Sequence, residues 1–250
     1  MIRAGMVIGA IALATGAGTA WAVSGHVITR TEMPGGVRLT AEPTEPAAQV
    51  PANPPSMSPL TFTKSVANHR QPLGGLVTYV FSVTNDGNSA VAGAVVDDGE
   101  IVKTAVADGR LAFADLDFID IPLNASAVLI FDFDPTSSTF VLVGLASTIG
   151  PGETFSFKVV FRVNGPEGAS VTNQASLQLN CTSTSTPCSM PVVALSDDPS
   201  VPGAEDPTVI AIIGPATAPT LGPVALAVSA SGLVLAGVRL LQRRRRPRNC

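Results

Sequence analysis

From Leu60 to about Val193 apolar and polar residues alternate with a period of two. The clearest run is 154–163. Phe155, Phe157, Val159, Phe161 and Val163 fall on one side, and Thr154, Ser156, Lys158 and Arg162 on the other. Val77, Tyr79, Phe81 and Val83 repeat the pattern against Thr78, Ser82 and Thr84. Val171, Ala175, Leu177 and Leu179 repeat it against Thr172, Gln174, Ser176 and Gln178. This alternation predicts half-buried antiparallel strands. Turn chemistry separates the runs: Asn85-Asp86-Gly87-Asn88, Asp108-Gly109, Gly150-Pro151-Gly152 and Asn164-Gly165-Pro166. No stretch of this region carries a helical period. Many short strands broken by such turns predict an all-β fold, a single antiparallel β-sandwich over residues 60–198.

The two ends of the chain follow other patterns. Arg3 precedes an apolar run, Ala4–Ala14, and Ala20-Trp21-Ala22 supplies the small residues of a cleavage site. Residues 1–22 therefore read as a secretory signal peptide cut after Ala22, with an apolar run too short to span a bilayer. Residues 23–59 crowd seven prolines among Glu, Thr and Ala and predict an extended, mostly disordered arm. Residues 199–223 form a second Pro-rich linker. Val224–Leu241 carries one charge, Arg239, and as a helix rises about 27 Å, close to a hydrocarbon core of about 30 Å. Arg243, Arg244, Arg245, Arg246 and Arg248 follow in the tail, residues 242–250. A transmembrane helix with this basic flank places the C-terminus in the cytoplasm and residues 23–222 outside.

Ala218-Pro219-Thr220-Leu221, then an apolar span, then arginines resembles the IPTL-type C-terminal sorting signal of bacterial envelope proteins. The resemblance implies that Pro219, Thr220 and Leu221 form a sorting motif read by a membrane-embedded protease. A second resemblance lies in the segments LTFTKSVAN, PLGGLVTYVFSVTNDGNSAVAGAVVDD, IGPGETFSFKVVFRV and SVTNQASLQL, in that order over about residues 60–180. They resemble the Ig-like bacterial surface repeat catalogued as domain of unknown function number eleven. That family implies an Ig-like sandwich serving as a structural module of exported proteins, with no catalytic residues.

Charge refines the picture. All 19 Asp and Glu lie between residues 23 and 222, against eight of the 15 Lys and Arg, so the exported part is near −11 while the whole chain is −4. An acidic exterior disfavours nucleic acid, which requires clustered Lys and Arg. Cys181 and Cys188 lie outside the membrane in this reading, where oxidation is permitted. A disulfide closing their short loop contributes about 2.5 kcal/mol by the chain-entropy account.

Catalytic signatures are sparse. The two histidines, His26 and His69, fall in the expected arm and near an expected turn, and no partner serine marks a triad. No H-E-x-x-H, G-x-S-x-G or phosphate-binding glycine loop is present. Trp21 and Tyr79 are the only Trp and Tyr, which leaves few aromatic faces for sugars. No catalytic or cofactor-binding residue is assigned. The one acidic cluster is Asp115, Asp117, Asp132 and Asp134. If segments 111–118 and 128–134 formed a hairpin about Asn124-Ala125, Asp115 would face Asp134 and Asp117 would face Asp132. Four crowded carboxylates would then suit Ca²⁺, though a solvated strand face is the plainer alternative. The sequence thus predicts an exported, membrane-anchored envelope protein with a structural or adhesive module, not an enzyme. Its partners are the membrane, a sorting protease and other surface proteins. The alternatives are a Ca²⁺-dependent surface binding module and a carboxylate-based hydrolase.

Overall fold

A computed structural model of the chain describes residues 18–23, 25–44, 60–136, 139–179 and 192–214. The strands run β1 (Gly18–Val23), β2 (His26–Met33), β3 (Gly36–Pro43), β4 (Leu60–Val66), β5 (Arg70–Pro72), β6 (Leu76–Asn85) and β7 (Val91–Asp97). A helical turn, Gly99–Ile101, continues as a π-helical turn, Val102–Val106. Then come β8 (Leu111–Asp120), β9 (Ala127–Asp134), β10 (Thr139–Ile149), β11 (Thr154–Val163), β12 (Ser170–Asn173), β13 (Ser176–Gln178), β14 (Val192–Leu195) and β15 (Thr208–Ile213).

Among the described residues these strands form three sheets. The orders are β1-β2-β3-β9-β10-β7-β13-β14, β4-β6-β11-β8 and β12-β15-β5. These strand pairings are antiparallel except β15 with β5, and an isolated parallel bridge joins Thr63 to Asp197. The first two sheets pack face to face through aromatic rings. Phe113 of β8 stacks on Phe131 of β9, centroids 4.0 Å apart at 12°. Phe81 stacks on Phe157 at 4.6 Å within the smaller sheet. Phe157 in turn lies against Gly144 of β10, where a Cβ would sit 2.4 Å from the ring. The all-β sandwich predicted from the period-two pattern is therefore present, and β11 spans the residues whose alternation was clearest.

Several boundaries differ from the sequence reading. Residues 26–43 of the expected disordered arm form the β2–β3 hairpin, which extends the larger sheet by pairing β3 with β9. Its inward residues Ile28, Val37, Leu39 and Ala41 are buried, and that apolar area stabilises an ordered state the proline count did not suggest. His26 is buried in the same hairpin, with Nε2 3.0 Å from the Ala125 carbonyl. Ala20 and Ala22, the expected cleavage residues, lie in β1, at the edge of the larger sheet.

At the other end, the expected linker contributes β15, which pairs with β12 and β5, so the folded region runs past residue 198 to Ile213. The turn over 99–106 is the helical exception, and it buries Ile101, Val102, Ala105 and Val106. Cys181, Cys188, Pro219, Thr220, Leu221, the span 224–241 and the tail 242–250 lie outside the described residues, as do residues 1–17. Among the described residues no helix is long and apolar enough to cross a membrane.

Candidate functional site

The hairpin that would have opposed four aspartates does not form. β8 pairs with β11, while β9 lies between β3 and β10 in the other sheet. The two segments meet face to face through Phe113 and Phe131 instead of edge to edge. Asp117 is opposite Lys158, with Nζ 3.4 Å from Oδ2. An opposite-charge cross-strand pair relieves the repulsion that a facing aspartate would create. Asp115 approaches Arg30 at 3.5 Å. Asp132 pairs in register with Val141 and Gly36, and the Asp134 carboxylate accepts the Thr136 N–H. Asp115, Asp117, Asp132 and Asp134 are thus distributed over two sheets. Among the described residues no group of three or more His, Cys, Asp or Glu could hold a metal ion. The Ca²⁺ reading loses the register on which it stood.

His69 does find a serine and a carboxylate. Its Nδ1 donates to the Val209 carbonyl at 2.7 Å, and Nε2 is 2.9 Å from Ser200 Oγ. The Ser200 hydroxyl, however, donates to Asp198 Oδ1 at 2.7 Å. In a nucleophilic triad the carboxylate orients the far nitrogen of the histidine. Here Asp198 instead accepts from the serine and lies 3.7 Å from the same Nε2, so the order of a triad is not present and the cluster closes the 198–209 connection.

The most unusual chemistry lies in the interior. Lys64 sits mid-strand in β4 on the inward face between Phe62 and Val66, and it is fully buried. Its Nζ is 3.0 Å and 2.9 Å from the two carboxylate oxygens of Asp98, also buried. Asp98 follows β7 and occupies the position before the helical turn, but its side chain caps no helix N–H. The Asp97 carboxylate accepts the Gly99 N–H in its place. Asn173, at the end of β12 and 3% exposed, donates from Nδ2 to Asp98 Oδ2 at 2.8 Å. Its Oδ1 is buried with no hydrogen-bond partner.

Three sheets therefore meet at one carboxylate. β4 is held beside the third sheet by Thr208, whose hydroxyl donates to the Lys64 carbonyl at 2.8 Å and which pairs with Asn173 across β12–β15. The Asp197 carbonyl accepts the Lys64 N–H at 2.9 Å. Aromatic walls close the cluster, with Nζ 4.9 Å from the Tyr79 ring centroid and 5.1 Å from that of Phe81.

Burial governs the protonation of this cluster. Desolvation lowers Lys64 to about 8 against the attraction of Asp98. Desolvation likewise raises Asp98 to about 6, with Lys64 opposing the rise. Tyr79 is pushed well above its ordinary value by burial and by the nearby carboxylate. An amine that holds its proton loosely and a carboxyl that readily takes one are thus in direct contact, with a carboxamide on the same oxygen. Sequence reasoning passed over all three residues. The signal was present as polar residues on the apolar side of a period-two run: Lys64 between Phe62 and Val66, and Asn173 between Val171 and Ala175.

No family model matches the chain, and no curated protein matches it. Among solved structures it is similar to BcpA, the major pilin subunit of Bacillus cereus, at 10% identity with a TM-score of 0.37. The match covers 74% of this chain and 57% of that one, so the chain spans little more than half the pilin's length. It is also similar to AvmM, which catalyses macrocyclization in alchivemycin A biosynthesis, at 8% identity and a TM-score of 0.33, covering 65% of this chain and 92% of that one. A type II cohesin domain from the cellulosome of Acetivibrio cellulolyticus matches at 12% identity and a TM-score of 0.29, covering 60% and 95%. Functions this different on loosely similar sheets assign none to this chain.

Proposed function

We propose that this chain is an exported protein of the bacterial cell envelope whose sandwich serves as a structural or adhesive module. The observation that carries the reading is where the protein places its polar chemistry. The Lys64–Asp98–Asn173 cluster joins three sheets from inside, sealed from water. Such a cluster offers nothing to a diffusing substrate, but it ties together a domain that must keep its shape. The Ala20-Trp21-Ala22 cleavage pattern, the acidic exterior and the Pro-Thr-Leu, apolar and basic succession at the C-terminus support export and anchoring. Resemblance to the Ig-like bacterial surface repeat supports the same role. The membrane, a sorting protease and neighbouring surface proteins are the partners of this reading. Its test is limited proteolysis of intact bacteria expressing the full chain. A resistant fragment containing residues 60–214 should be shed from the cell surface. Protein protected inside intact cells, or degraded to small peptides at the surface, refutes the proposal.

A further inference from the structure

The geometry points to an intramolecular amide bond between Lys64 Nζ and Asn173 Cγ, formed by the protein itself with Asp98 as the proton carrier. This goes beyond the envelope role and does not depend on it, because every reacting group lies in one folded chain.

An ion pair alone does not explain the cluster. Burying a Lys–Asp pair is often no better for stability than packing apolar residues there. It also leaves Asn173 unexplained, since its Nδ2 meets the oxygen Lys64 already holds while its Oδ1 is orphaned in the interior. Amine, carboxyl and carboxamide are the complete set for amide exchange. The amine and the carboxamide both contact Asp98 Oδ2, at 2.9 Å and 2.8 Å. All three residues are at most 3% exposed, so water does not compete as nucleophile. Rotating the Asn173 amide by half a turn exchanges two nearly isosteric groups. It brings Oδ1 to Asp98 and gives the orphaned oxygen a donor once that carboxyl is protonated.

The reaction balances without any further reagent. The Lys64 ammonium passes a proton to Asp98 and becomes a neutral amine. The Nζ lone pair attacks Asn173 Cγ, and the carbonyl electron pair moves onto Oδ1, which accepts the Asp98 O–H. Asp98 then carries a proton from Nζ to Nδ2. The Cγ–Nδ2 bond breaks with its electron pair leaving on nitrogen, and ammonia departs. The products are one secondary amide, one ammonia and a protonated Asp98. The lowered affinity of Lys64 for its proton and the raised affinity of Asp98 bring the first transfer closer to balance than between the same groups in water, with the ion pair still the resting form. The bond ties β4 to β12 and encloses residues 65–172 in a covalent loop.

Mass spectrometry of the purified full chain, reduced and digested with trypsin, tests the inference. A branched peptide joining the Lys64 and Asn173 segments is expected, lighter than the sum of its parts by one ammonia, about 17 Da. Trypsin should fail to cut after Lys64. The branched peptide should vanish in Asn173→Ala and in Asp98→Asn. Folded wild-type protein that yields separate Lys64 and Asn173 peptides of unaltered mass overturns the bond. A branched peptide persisting in Asp98→Asn overturns the role given to Asp98. Should Asp98→Asn fail to fold, the wild-type digest still decides the bond. Lys64→Arg, which keeps a cation beside Asp98, then supplies the folded, unlinked control.

Discussion

Replacing Asn173 with Ala separates a covalent tie from a merely polar one by magnitude. The substitution leaves Lys64 and Asp98 in contact and removes one hydrogen bond to a charged group, that of Nδ2 to Asp98 Oδ2 at 2.8 Å. Such a bond contributes about 1.5–3 kcal/mol. If the Lys64–Asn173 amide exists, Nδ2 has already left as ammonia, and the substitution instead frees the unfolded chain from a closed loop of about 110 residues. Chain entropy assigns a cross-link over about 100 residues roughly 4.7 kcal/mol. The linked protein, in which the amide oxygen accepts the Asp98 O–H, should therefore lose about 5–6 kcal/mol, whereas an unlinked one loses at most about 3. At about 2–4 °C per kcal/mol for a domain of this size, the expected fall in Tm is about 10–24 °C. Urea unfolding of both proteins, followed by far-ultraviolet circular dichroism with intact-mass analysis of the same samples, provides the measurement. A loss of about 3 kcal/mol or less refutes the loop argument even if the mass shows the bond.

Two further outcomes follow from the same interior. In the unlinked Asn173→Ala chain, Asp98 titrates near 6 when folded against an ordinary 3.8, so the folded state binds the extra proton and stability falls as pH rises through that window. Lys64 titrates near 8 against an ordinary 10.5, so the unfolded state binds the extra proton there and stability rises from about pH 8 to 10. Each arm is worth about 3 kcal/mol. The urea midpoint should reach its minimum between pH 6 and 8, the linked wild type should lack the alkaline arm, and a flat profile in the variant contradicts burial of the pair. Gly144→Val tests the packing of the sheets, because even a Cβ at that position falls 2.4 Å from the Phe157 ring. A loss of about 1–3 kcal/mol is expected from calorimetry, and an unchanged melting curve rejects the close approach of β10 to β11.

Local pattern predicted strands far better than it predicted their neighbours. Thr154–Val163 emerged as one strand because its apolar side faces a packed core along its whole length. The β2–β3 hairpin carries the same alternation, with Val37, Leu39 and Ala41 against Arg38, Thr40 and Glu42. It was obscured by the prolines crowded mainly beyond it. Period two states that a strand has an inner side but not which sheet that side belongs to. β8 and β9 invite the supposition of a hairpin because they are consecutive and each carries an alternating pair of aspartates. They instead face one another across the core through Phe113 and Phe131, and Lys158 takes the place beside Asp117 that another aspartate could not hold without repulsion.

The same limit applies to the site. A lysine flanked by Phe62 and Val66, and an asparagine flanked by Val171 and Ala175, each stand at a core register where an unpaired polar group costs several kcal/mol. Each residue therefore implies a buried partner, and no local pattern could name it, because the partners are far apart in sequence and belong to different sheets. Asp98 is that shared partner, and it leaves a remainder. A carboxylate satisfies the ammonium and one amide N–H, but it cannot satisfy the Asn173 carbonyl until it carries a proton itself. The proton must come from Lys64, and a Lys64 that has given it up is a nucleophile beside the carbonyl that the new acid polarises. The requirement to satisfy every buried polar group thus leads from the fold to the reaction, without reference to any surface site.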